Sequence, residues 1–185
     1  IKLILYKNNK KRYLSKNNQN VKRLNLIIKY FPNSKILIPY RDPLQQSFSL
    51  LTQHRKFIKI QKTDKFIKKY MNWIGHSEFG LDYKPIRNIE LEQNNYNKIN
   101  HWLEQWMLIY NTLYELNTNQ QVKFVCYEKL CENASLWNSL QKFINIKNKK
   151  KIKFVESKKN IKIQYNRQLL DECYNLYNKL QSIEK

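Results

Sequence analysis

Two periods organise the apolar positions of this chain. Val21, Leu24, Ile27 and Ile28 recur at helical intervals, so "NVKRLNLIIKYF" is expected to be a helix, capped by Asn20 and ended by Pro32. Asp42 and Pro43 open a second helix, carrying Leu44, Phe48, Leu51 and Phe57. A third starts near Thr63 with Phe66, Ile67, Tyr70 and Trp73. A long one is expected from Tyr96 to Leu116 with Trp102, Trp106, Ile109 and Leu113 as its stripe. Asn133 caps a short helix in "NASLWNSLQKFI", and the last helix, Asn166 to Ile183, sets Leu169, Leu170, Cys173, Leu176, Tyr177 and Leu180 on one face. The other signal is the short apolar run between turn residues. "KILIPY" and "QVKFVCYEKL" read as buried parallel strands, and "RYLSKNN" as a shorter strand over Arg12 to Leu14. Pro39 predicts an irregular end to the first of these. "GHSEFGLDYKPI" holds both glycines, Gly75 and Gly80, and reads as a loop; "KNKKKIKFVESKKNIKIQ" reads as a basic connector. Strands alternating with helices predict a single α/β domain with a mainly parallel sheet.

The formal net charge of +21 changes the picture less than its size suggests. Such an excess attracts nucleic acid or an anionic membrane surface. Here it is mostly Lys, spread among Asn and Ile in every segment, as a coding bias would leave it. We weigh that above a dedicated nucleic-acid surface. Small anions are drawn in either case. The three cysteines form no CxxC pair and suit a reduced protein. No apolar run approaches a membrane span. The chain opens inside an apolar run without Met, so a preceding portion is expected. It could carry a signal; otherwise a cytoplasmic location is expected.

The densest chemistry lies in "KILIPYRDPLQQSFSLLTQHRKF". In an open α/β sheet, ligands bind beyond the carboxyl ends of the strands. Arg41 sits at such an end, and the helix beginning at Pro43 turns its positive end to the same region. Ser49 follows two turns into that helix. An arginine fork and a hydroxyl facing one crevice suit a phosphate. A surface Arg–Asp pair with a solvated serine explains the same residues equally well.

"YRDPLQQSFSLLTQH" resembles the 3′-phosphate-binding segment of the sulfotransferase family, in which a Ser follows the Arg by eight residues, as Ser49 follows Arg41. "RYLSKNN…FPNSKILIPYRDP" is similar to the family's strand-helix-strand unit, "FVCYEKL" to its "YEDL" segment, and "LLDECYNLYNKL" to its final helix. "WIGHSEFG" resembles an "LGHxEFG" loop of a mostly bacterial branch. The resemblance covers about four fifths of the chain. It implies a P-loop-like three-layer fold and transfer of a sulfuryl group from PAPS (3′-phosphoadenosine 5′-phosphosulfate) to an acceptor hydroxyl or amine of a small molecule, glycan or peptide, without a metal. Arg41 and Ser49 would hold the 3′-phosphate and Tyr127 would lie near the adenine.

Two family segments are absent. No glycine-rich "PKSGTTW" loop occurs, so the first strand and donor loop are expected to precede Ile1. No "RKGxxG" segment occurs either; "KFVESKKN" is the nearest candidate, with Phe154 to stack on adenine and Lys158 or Lys159 to meet phosphate. Lys16 falls where some members place a lysine near the leaving phosphosulfate, although a strand-end lysine is more often simply solvated. His54, His76 and Glu78 are the acceptor-side candidates, the last two on a loop that can cover the site. The plainer alternative for each histidine is a structural role, and for Glu78 a lysine pair. Three rival functions stand beside it: a basic nucleic-acid-binding module, which no RNP, KH or zinc pattern supports; a P-loop nucleotide kinase, which would need the Walker loop this chain lacks; and an inactive sulfotransferase-like fragment.

Overall fold

The two clearest apolar runs form the two strands of one parallel pair. In the computed structural model of the chain, which describes residues 1–86, 95–146 and 152–183, β1 spans Ile36–Tyr40 and β2 spans Val122–Cys126. Ile36 lies opposite Val122 and Tyr40 opposite Cys126. β1 stays regular through Pro39, which pairs in register with Val125. A two-stranded sheet has only edge strands, where a residue lacking N–H is tolerated. The expected strand at Arg12 to Leu14 does not form. Those residues have no regular structure, and Arg12 instead donates to the carbonyls of Ile144 and Asn145 at 2.6 and 3.2 Å.

Three helices cover one face of the pair. α3 is Pro43–Thr63, α5 is Ile99–Tyr114 and α8 is Arg167–Ser182. α5 packs against both of the others. Their caps follow from sequence: the Asp42 carboxylate accepts from Gln45 N at 2.8 Å, and the Asn166 side chain accepts from Leu169 N at 3.1 Å. α8 buries the six residues its periodicity marks: Leu169, Leu170, Cys173, Leu176, Tyr177 and Leu180. The core joins Leu51, Leu103 and Trp106 to Tyr40, Phe124 and Cys126 of the strands. Each fully buried aliphatic side chain there stabilises the fold by about 1.5–3 kcal/mol. The three cysteines are not joined by disulfides; Cys126 and Cys173 are buried and Cys131 is half-buried.

The smaller helices depart more from expectation. α1, Lys2–Lys7, buries no residue. The "NVKRLNLIIKYF" helix splits into a 3₁₀ turn, Asn18–Arg23, and α2, Leu24–Tyr30; its cap is Asn17, which accepts from Gln19 N, rather than Asn20. α4, Lys65–Trp73, is capped by Asp64, yet Phe66, Tyr70 and Trp73 are exposed and Met71 is its buried residue. Trp73 is therefore not core, unlike Trp102 and Trp106. α6, Tyr127–Glu132, continues directly from β2 and takes up the second half of "QVKFVCYEKL", and α7, Ala134–Phe143, is capped by Asn133 as its sequence predicts. The chain is thus mixed α/β with a parallel strand pair. No helix among the described residues is long and apolar enough to cross a membrane.

Candidate functional site

Arg41 leaves β1 at its carboxyl end and turns toward the same end of β2. Its guanidinium lies over the ring of Tyr127, 4.7 Å from the centroid. Nε faces Glu128 Oε1 at 3.7 Å, and Nη2 donates to the carbonyl of Ser157. The buried Nε makes that ion pair but no hydrogen bond, so the fork is not saturated. Glu128 is the hub beneath it. Its carboxylate accepts from Asp42 N at 3.1 Å and from Tyr177 Oη at 3.0 Å, while Tyr174 Oη donates to Asp42 Oδ2 at 2.9 Å. Burial pushes the Tyr174 and Tyr177 phenols upward, and neighbouring carboxylates add to the effect, so both remain donors. The carboxyl ends of β1 and β2, the start of α3 and the middle of α8 are thus joined by one polar network around Arg41.

The basic connector closes over this edge. Residues 152–166 have no helix or strand. Tyr127 Oη donates to the Val155 carbonyl at 3.1 Å and accepts from Ser157 N at 2.8 Å. The Gln45 carboxamide exchanges two 2.9 Å hydrogen bonds with the main chain of Lys159, whose ammonium lies 5.7 Å from the Phe48 ring centroid. Lys158 and Lys159 are exposed here. Ser49, half-buried, lies one helical turn beyond Gln45 and so on the same face of α3. Phe154 packs edge-on against Trp137 at 5.4 Å, and the Tyr127 ring is covered by Arg41. Each ring thus already has a neighbour, Trp137 for Phe154 and the Arg41 guanidinium for Tyr127.

A second cluster involves the histidines. The loop 75–86 begins with a Schellman ending of α4: Gly75 has φ +66°, Gly75 N donates to Asn72 O, and His76 N donates to Met71 O. It then docks on α3. His54 is 2% exposed, and its Nδ1 accepts from Gly80 N at 3.2 Å. Gln61 Oε1 accepts from Leu81 N at 2.6 Å. Gly80 has φ +93°, and a Cβ there would run into the Gln61 carboxamide. His54 is thus a buried loop anchor, its pKa lowered by burial and by Arg55. His101, which sequence reasoning missed, meets Tyr83 Oη at 2.8 Å, and burial and then His54 lower its pKa to about 4. Earlier in the loop, His76 Nδ1 lies 2.8 Å from Glu78 Oε2, with the His76 side chain half-exposed and Glu78 mostly covered. That is a base held by a carboxylate, within reach of solvent.

Lys16 is exposed in the irregular segment before the 3₁₀ turn. Among the described residues no group of three or more His, Cys, Asp and Glu side chains could hold a metal ion. Arg41, Tyr127 and the connector come together at the sheet edge, with Ser49 on the α3 face beside them; His54 stands apart in the aromatic cluster. Sequence reasoning missed Glu128, Gln45 and Ser157. Glu128 alone left a signal: a carboxylate two residues past one strand, matching an arginine one residue past the other. Searches against protein-family models, curated proteins and solved structures found no match to this chain.

Proposed function

We propose that the carboxyl edge of this sheet binds the nucleotide PAPS and its product PAP, on a P-loop-like α/β framework, for sulfuryl transfer to an acceptor hydroxyl or amine. The observation that carries this reading is Arg41. It leaves a strand end beside the end of the second strand, with a buried Nε that makes no hydrogen bond and with the Ser49 face of α3 nearby. A bidentate arginine and a serine hydroxyl would take the 3′-phosphate. Exchanging the Ser157 carbonyl for phosphate oxygens would free the connector main chain to move, bringing Lys158 and Lys159 toward the anion. Phe154 and Tyr127 would reach an adenine only after leaving their present ring contacts.

In the transfer, the acceptor oxygen or nitrogen bonds to sulfur as the sulfur–oxygen bond to the phosphate breaks, leaving PAP. The acceptor's proton passes to a base. The half-exposed His76, oriented by Glu78, is the candidate for that role. Lys16 is the candidate to neutralise the leaving phosphate. The two glycines both lie in the loop after α4, so the 185 residues contain no glycine-rich cradle for the 5′-phosphosulfate. The support from this chain is for the 3′-phosphate half of the nucleotide.

The test is calorimetry with PAP, AMP, ATP and duplex DNA. PAP is expected to bind more tightly than AMP, and Arg41→Ala to remove that preference. A charge-assisted bond of roughly 1.5–3 kcal/mol corresponds to about ten- to more than a hundredfold in affinity. Arg41→Lys keeps the charge and loses the fork, and should recover only part of it. If folded Arg41→Ala keeps the wild-type preference, or DNA binds and PAP does not, the reading fails.

A further inference from the structure

The connector 152–166 is held almost as a strand is held, but by side chains. Val155, Ser157 and Lys159 turn main-chain groups inward to Tyr127, Arg41 and Gln45. These are alternate residues, the period of an extended strand. A slip of one residue would bring Glu156 and Lys158 to the clasps instead, and reverse which side chains face the sheet edge. Tyr127 and Arg41 each bind through one terminal group that could take a neighbouring peptide. Gln45 differs. Its carboxamide, 9% exposed, donates to the carbonyl and accepts from the N–H of the same residue, each at 2.9 Å. Only a side-chain amide offers donor and acceptor side by side in this way.

We infer that Gln45 is a positioning residue: its carboxamide fixes the register of the connector over Arg41, and so sets where Lys158 and Lys159 stand toward a bound anion. The register claim stands on the hydrogen bonds alone. The anion claim rests on the PAP reading above.

Gln45→Met tests both, because methionine keeps the length and packing of glutamine and makes neither bond. Amide exchange of the folded variant should speed at least tenfold at Lys159, with Ser157 following, while the α3 and α5 amides keep wild-type rates. Its preference for PAP over AMP should fall at least fivefold, and Gln45→Glu, which keeps only the acceptor, should restore part of the Lys159 protection. Unchanged exchange at Lys159 in folded Gln45→Met overturns the register claim. Faster exchange with an unchanged PAP preference overturns the positioning role. A wild-type protein with no PAP preference removes the nucleotide reading and that role together, while the exchange rates still decide whether Gln45 sets the register.

Discussion

His101 shows how a single buried side chain couples this fold to pH. Its neighbours are His54, Tyr83, Tyr96 and Trp102, none of them an anion at neutral pH, so nothing repays a proton placed there. With a folded pKa near 4 against 6.5 unfolded, the unfolded chain binds the proton first as pH falls. Stability is therefore full above about pH 7 and declines through the window between those values. His101 alone should cost about 2 kcal/mol between pH 7.5 and 5, and His54, lowered in the same direction, adds to it. Urea unfolding at pH 5, 6 and 7.5 should show this slope, and His101→Gln should flatten it. An unchanged slope in that variant would place the titration elsewhere. Little of this was legible in sequence, because a histidine on an apolar stripe looks alike whether it meets a hydroxyl or solvent. Arg41 was legible as a strand-end residue, but its partner Ser157, 116 residues away, was not.

At the level of elements, the pattern read well where periodicity was long and poorly where it was short. α8 buried the face its spacing marks, whereas the three-residue strand at Arg12 to Leu14 had too few ladder bonds to outweigh the helix-end carbonyls that Arg12 found. The exposed Phe66, Tyr70 and Trp73 of α4 show that an apolar stripe predicts a helix more surely than it predicts burial. The loop 75–86 contains its own comparison. Gly75 and Gly80 both have positive φ, but open space surrounds Gly75 while the Gln61 carboxamide fills the place of a Cβ at Gly80. Gly75→Ala should cost about 1 kcal/mol, the backbone penalty alone. Gly80→Ala should cost more, roughly 2–4 kcal/mol, since it also displaces Gln61 from Leu81 N and disturbs the His54 anchor. Thermal unfolding of the two variants decides it; equal losses would mean that Gln61 swings aside freely.

For the molecule as a whole, the α/β class and the buried helices followed from the alternation of apolar runs, while the closing of the connector over the strand ends did not. That closure is made by side chains reaching main chain, and main-chain partners carry no residue code. The three thiols are spread across this architecture in a useful way. Cys126 ends β2 and Cys173 sits in α8, both in the core, with burial raising the Cys173 pKa to about 12; Cys131 lies in α6, half-buried. A thiol-reactive maleimide should therefore label Cys131 first, and reach Cys126 and Cys173 together and only as fast as the native chain opens. Cys173 reacting well ahead of Cys126 would mean that α8 detaches before the strand pair separates. The chain thus carries a clock in its own chemistry: one cysteine times the surface, two time the core, and mass spectrometry reads the maleimide gained at each.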